Sequence, residues 1–319
     1  MAPSTTRLAV GGLLATVLCA VLAGCAGEGA STTTEAPLAA QPTAKKKKSK
    51  KEKKDTQTSG TGTPAPPAPS SGCAKGTGGQ RLGQTIDVWG ERRSYDLLVP
   101  SSYDPARTYP LVFVFHGGGG SSEGARHQFD FSSVAGDDAI FVYPNGRHGS
   151  WDLESPADEN ADMAFFDDLV ASIEASHCVD SGRVFATGYS NGAFFSNQLG
   201  CRRGGESLRG IAPHAGGGPF GRDAEYGHDG HLQCEGSPVA AMIFHGQWDD
   251  IVWHDDGQRT TAHWTNANGC DGRSRAISPG PCVAFDGCEN PVAWCSVPEL
   301  GHDVWWEGVK ATWDFFSKL

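Results

Sequence analysis

The chain has 319 residues, with 26 basic and 37 acidic side chains and a formal net charge of −11. The charge is unevenly divided: residues 45–54 hold eight lysines and one glutamate, whereas residues 73–319 hold 17 basic against 33 acidic side chains. So acidic a body argues against nucleic acid as a partner, because that recognition needs a basic face.

In chain order, Arg7 precedes an apolar run over residues 8–22, broken only by small residues, and then Ala23-Gly24-Cys25. A weakly positive start, a short apolar core and small residues before a cut site predict a secretory signal peptide over residues 1–24. The apolar core is too short for a membrane-spanning helix. Leu22-Ala23-Gly24-Cys25 also resembles a bacterial lipobox. That likeness implies lipid on Cys25 and an exported protein, held at the cell surface or outer membrane or released. Residues 25–72 are rich in Ala, Thr, Pro, Ser, Gly and Lys and bury too little apolar surface to offset ordering entropy. They are expected to form a disordered tether whose lysine run is solvated and self-repelling.

Residues 73–319 then read as one domain, with no internal repeat or second linker. Residues 95–100 alternate like an early antiparallel strand, and residues 111–115 and 140–143 are apolar throughout, as strands buried on both faces are. Helical spacing follows over 165–177. Further strands are predicted at 183–187, 208–213, 239–244 and 292–295. Helices are predicted from 194, over 258–268 and over 309–316. Strands alternating with helices predict an α/β fold with a mostly parallel central sheet and helices on both faces. Active sites of such sheets lie at the carboxyl ends of the strands.

The ten cysteines divide into Cys19 in the signal segment, Cys25, and eight in the domain. An even number in an exported domain predicts disulfides. Sequence proximity suggests Cys288–Cys295 and Cys270–Cys282. No C-x-x-C pair occurs, and His245, His254, Asp249, Asp250, Asp255 and Asp256 lack H-E-x-x-H spacing, so no metal site is expected.

Gly188-Tyr189-Ser190-Asn191-Gly192 lies between a predicted strand and a predicted helix. That is the setting of a nucleophile elbow, in which serine stands on a tight strand-to-helix turn. Serine needs a base and an orienting acid, which follow in the order acid, then histidine. His245-Gly246-Gln247-Trp248-Asp249-Asp250 begins where the strand at 239–244 ends, and spacing favours Asp249 over Asp250 as the acid. Gly301-His302 follows the last strand and supplies the base. For the oxyanion hole the expected donors are the N–H of Asn191 and, from His116-Gly117-Gly118-Gly119-Gly120, that of Gly118. The glycine run lacks the spacing of a dinucleotide or phosphate loop. Among aromatic residues near these motifs, Trp248 and Trp305 are candidates to stack on a sugar or phenolic ring.

Together these strings resemble the secreted feruloyl esterases and the related polyhydroxybutyrate depolymerases. Ile211-Ala212-Pro213 before Ala215-Gly216-Gly217, and Pro281-Cys282-Val283-Ala284 before Gly287-Cys288, add to the likeness. The resemblance implies an α/β-hydrolase fold over residues 73–319, a Ser190–Asp249–His302 triad and ester substrates attached to polymers. Two departures stand out: Trp253-His254 follows Val252 where the family often has Pro-Tyr, and the proline that often follows the histidine is missing after Asp303-Val304-Trp305-Trp306. The implied reaction is acyl transfer to water without metal or organic cofactor, on feruloyl or acetyl esters of plant polysaccharide. Polyester is the close alternative. A serine peptidase, and a non-catalytic surface lipoprotein that holds glycans or a partner, are alternatives of other kinds. A monomer is expected.

Overall fold

The computed structural model describes residues 68–221, 226–228 and 230–319. The signal segment, Cys25 and the tether up to residue 67 lie outside the described residues. Residues 68–72 depart from the expected disorder. Ala68 N–H donates to Asp180 Oδ1 at 3.0 Å, Ser70 N–H to Val179 O at 2.9 Å, and Gly72 N–H to Glu174 O at 2.7 Å. The adjoining Cys73–Cys178 disulfide fixes the same segment.

Ten strands form one sheet: β1 (Gly79–Val88), β2 (Glu91–Val99), β3 (Tyr109–Phe115), β4 (Ile140–Pro144), β5 (Val179–Tyr189), β6 (Gly210–His214), β7 (Ala240–Gly246), β8 (Ser274–Ala276), β9 (Cys282–Phe285) and β10 (Val292–Val297). The helices are α1 (Ser122–Gln128), α2 (Ser132–Ala135), α3 (Ala161–Ser176), α4 (Asn191–Arg203), α5 (His254–Ala267) and α6 (Gly308–Phe316). In space the strands run β1-β2-β4-β3-β5-β6-β7-β10-β9-β8. The six from β4 to β10 in that order are mutually parallel, and the pairs at both edges are antiparallel.

The apolar run of β3 explains how the sheet is covered. All seven of its residues are buried. Leu111, Phe113 and Phe115 join a core that includes Phe166 and Leu169 of α3, Phe195 of α4 and Trp264 of α5. Val112 and Val114 point the other way, to a core with Phe129, Phe131 and Trp313 of α6. Period-two side chains on one strand thus serve two layers, which an alternating, half-exposed strand does not do. This is the α/β-hydrolase arrangement that the resemblance implied.

The disulfides correct the pairing expected from proximity. Cys282 of β9 lies directly opposite Cys295 of β10 in the antiparallel ladder, and these two are joined. Cys270, just beyond α5, is joined to Cys288 in the β9–β10 connection. There Asp271 N–H donates to Asp286 O and Glu289 N–H to Asn268 O, which brings the two segments side by side. Seven residues of separation between Cys288 and Cys295 counted for less than strand register. Cys201 and Cys234 form the remaining bridge.

Candidate active site

Ser190 follows β5, Asp249 follows β7 and His302 follows β10, so all three stand at carboxyl ends of parallel strands. Ser190 has φ 52° and ψ −119°, a backbone region that L-residues seldom occupy. The surroundings hold it there. Ser190 N–H donates to His214 O at 3.0 Å, and Ser190 O accepts from Ala193 and Phe194 at 2.9 and 3.0 Å. The flanking glycines are sterically required. A Cβ on Gly188 would come within 2.8 Å of Phe115 O, and one on Gly192 within 2.3 Å of the same atom. The turn therefore sits against the end of β3 with no room for a side chain on either side of the serine.

Three side chains converge on one relay. His302 Nε2 lies 2.9 Å from Ser190 Oγ, and His302 Nδ1 lies 2.8 Å from Asp249 Oδ2. With Nδ1–H donating to the carboxylate, Nε2 is left to accept the serine proton. The Asp249 side chain is fully buried and that of His302 is partly exposed, at 13 %. Asp249 Oδ1 accepts the N–H groups of Ile251 and Val252 at 3.0 and 2.9 Å. Asp250, the other candidate acid, is exposed to solvent.

Sequence reasoning did not assign two residues that hold this relay. His245 Nε2 is 2.8 Å from Val252 O and 3.2 Å from Asp249 Oδ2, so its N–H is shared between the carbonyl and the acid. Burial holds the His245 pKa below the usual imidazole range, the Val252 and Asp249 contacts opposing it only in part. His245 is thus a neutral donor to the acid. Its signal was in the sequence, four residues before Asp249, but there it resembled a metal ligand. Tyr189 donates its hydroxyl to His302 O at 2.7 Å, and its ring lies 5.0 Å from the imidazole. Burial pushes the Tyr189 phenol up to about 12, so it remains a donor at any working pH.

The expected oxyanion donors lie together. Asn191 is the first residue of α4, where a backbone N–H has no acceptor within the helix. Gly118 sits beside it, with 3.8 Å between a Cβ built there and Asn191 Cβ. The N–H groups of Gly119 and Gly120 are committed to Gly149 O and Gly117 O at 2.7 and 3.0 Å. The helix dipole of α4 adds positive potential at the same point. His116 braces the glycine loop. Its Nδ1 is 2.7 Å from Gly117 O, and its Nε2 accepts from Gly146 N–H at 2.9 Å. Those partners require the neutral Nδ1–H tautomer, and burial depresses the His116 pKa accordingly.

The Asn191 side chain reaches the neighbouring loop, accepting from Trp151 N–H at 2.7 Å and from the Ser150 hydroxyl at 3.1 Å. That loop is anchored by the buried Arg93–Asp162 pair at 2.6 Å, with Asp162 Oδ2 also accepting Asp152 N–H at 2.8 Å. Of the two tryptophans proposed for substrate contact, the structure separates one from the other. Trp248 is 66 % exposed, beside Asp249. Trp305 is buried in the core with Phe244, their ring centroids 6.5 Å apart, and that expectation is corrected: its ring does not face solvent. The next residue, Trp306, is the exposed one at 81 %. Among the described residues, the grouping of metal-ligand type is Cys201, Cys234 and His263, and the two sulfurs there are bonded to each other.

No family model matches the chain. Among similar proteins, it is 32 % identical over 242 residues to feruloyl esterase C of Emericella nidulans, covering 70 % of this chain and 83 % of that protein. The same figures hold for a probable feruloyl esterase C of Aspergillus niger. Among solved structures, an acetyl xylan esterase from Aspergillus awamori superposes with a TM-score of 0.59 at 17 % identity, covering 76 % of this chain and all of that one. At that identity the likeness speaks to the fold alone.

Proposed function

Because the chain belongs to the feruloyl esterase family, we propose that it hydrolyses feruloyl or acetyl esters of plant polysaccharide, with Ser190 as nucleophile, His302 as general base and Asp249 as orienting acid. It is a carboxylic ester hydrolase of the serine type. The observation that carries the residue assignment is the unbroken relay from Asp249 through His302 to Ser190.

In the first half-reaction the Ser190 proton passes to His302 Nε2 as Oγ bonds to the ester carbonyl carbon. The carbonyl oxygen takes the negative charge and lies against the N–H groups of Asn191 and Gly118. Asp249 keeps the imidazole in the Nδ1–H tautomer and stabilises the imidazolium that forms. The tetrahedral intermediate collapses, the ester bond breaks, and His302 delivers its proton to the departing sugar oxygen. Water then repeats the sequence on the acyl-serine: His302 removes its proton, the acid is released and Ser190 Oγ is reprotonated. Neither half-reaction calls for a metal or an organic cofactor.

The same reading makes residues 1–24 an export signal, Cys25 a lipid-bearing residue and the lysine-rich stretch a tether that holds a monomeric catalytic domain away from a membrane. The relatives' names concern esters of ferulic acid, which favours polysaccharide over polyester as the substrate. The test is hydrolysis of methyl ferulate, acetylated xylan and hydroxybutyrate oligomers by the wild type and by Ser190→Ala. Release from the first two, abolished by the substitution, is expected. Release from the oligomers alone would replace the substrate, and release that survives Ser190→Ala would remove the nucleophile assignment.

A further inference from the structure

Seven large apolar side chains are half exposed or more among the described residues, and four of them stand on the two loops that carry the acid and the base. Trp248, Ile251 and Trp253 are 66 %, 68 % and 68 % exposed in the segment between β7 and α5, and Trp306 is 81 % exposed four residues after His302. The two loops are joined: Gln247 N–H donates to Val297 O and Trp248 N–H to Leu300 O, both at 2.9 Å. Their backbones are fixed as well, by the Asp249 carboxylate on one side and by the Gly308 N–H to Trp305 O bond on the other. Three exposed indoles on two hydrogen-bonded loops that also carry Asp249 and His302 point to a contact surface rather than incidental exposure.

The charge around them decides what it contacts. Besides the buried Asp249, residues 247–256 and 301–307 contain five carboxylates and no lysine or arginine: Asp250, Asp255, Asp256, Asp303 and Glu307, of which Asp256 is paired with Arg259 at 3.0 Å. Anionic lipid and nucleic acid are repelled by such a rim. A neutral polymer with C–H faces and many hydroxyls is suited to it, since indole faces take the C–H side and exposed carboxylates accept from the hydroxyls. We propose that Trp248, Ile251, Trp253 and Trp306 form a platform for the main chain of a neutral polysaccharide, on the side where the sugar leaves after acyl transfer. This rests on the reading of the protein as a polysaccharide esterase.

The experiment compares wild type with Trp253→Ala/Trp306→Ala, the two indoles farthest in sequence from the triad, and with Trp253→Phe/Trp306→Phe. The readout is kcat/KM on feruloylated arabinoxylan divided by that on methyl ferulate. The alanine pair is expected to lower this ratio about tenfold, mainly through KM on the polymer, and the phenylalanine pair to restore most of it. An unchanged ratio overturns the platform. So does a drop that the phenylalanine pair shares in full. In a parallel arm, Ser190→Ala with intact indoles should sediment with insoluble arabinoxylan, and the alanine pair added to it should abolish this. Retention on phosphatidylcholine vesicles in place of arabinoxylan, or a concentration-dependent dimer lost with the indoles, would assign the surface to lipid or to a second copy and overturn the proposal. If wild type fails on methyl ferulate, the esterase substrate reading falls, while the sedimentation arm still decides the platform.

Discussion

The floor of the site and its rim are built by opposite rules. On the floor, Ser190 is held in an unfavourable backbone conformation by three backbone hydrogen bonds and two glycines that touch carbonyl oxygens of the β3 end. Asp249 has four hydrogen-bond contacts, and each nitrogen of the His302 ring has a partner. On the rim, Trp248, Ile251, Trp253 and Trp306 project from equally fixed backbone into solvent. The floor leaves almost no freedom because acyl transfer requires atoms placed within a fraction of an ångström. The rim can change without disturbing it, because what it touches is the substrate and not the fold.

This contrast can be broken most severely at the proposed nucleophile. Ser190→Ala should lower kcat by roughly six orders of magnitude, and Asp249→Asn by about four, on every ester tested. Both should leave the thermal midpoint close to wild type, as differential scanning calorimetry would check. The next largest effect concerns stability. Asp162→Ala strands the buried Arg93 guanidinium and should cost about 3–5 kcal/mol in urea unfolding. Activity should fall with it, since the loop that positions Asn191 loses its anchor.

A third test addresses the acid's second partner. His245→Gln should reduce kcat by about 10²-fold or less with little change in KM, because the carboxylate loses alignment and not contact with substrate. A purely structural role would lower the amount of folded enzyme and leave kcat per active site unchanged, which active-site titration distinguishes.

The fourth prediction is a pH dependence set by the floor's buried imidazoles. His214 is wholly buried, with Nε2 at 3.0 Å from Thr312 Oγ1 and its ring stacked on Phe244, and burial lowers its pKa to about 3. The folded state therefore binds fewer protons than the unfolded state between about pH 6.5 and pH 3, and stability falls as pH falls through that window. By pH 5 the loss from His214 alone is about 2 kcal/mol. His116 and His245, also lowered by burial, act with the same sign. Urea titrations at pH 7 and pH 5 should show it, and His214→Leu should flatten the difference. The smallest effect belongs to the rim: Ile251→Ser should alter stability by no more than about 0.5 kcal/mol.

Legibility in the sequence followed burial. The runs that became β3, β4 and most of β7 were visible because strands covered on both faces are apolar almost without interruption. The elbow was visible because its two glycines have a steric cause. β1 and β8 were not, since β1 is largely exposed and carries a register shift between Arg81 and Gln84, while all three residues of β8 are exposed. Neither supplies the apolar periodicity that marks a strand. His245 was ambiguous for another reason: its chemistry as a donor to a carboxylate and as a metal ligand uses the same imidazole.

From the sequence alone came the order of the buried central strands and the longer helices, the two-sided sheet, and the three side chains expected to act together, because each depends on a local pattern or on chain order; β1, β8, β9, α1 and α2 did not. Tertiary structure alone decided which cysteines meet, which of two adjacent tryptophans faces water, and that residues 68–72 belong to the folded body. Those are questions of distance and direction between segments remote in the chain. A one-residue step along a turn reverses what a side chain faces, and only the packed neighbours settle which way it points.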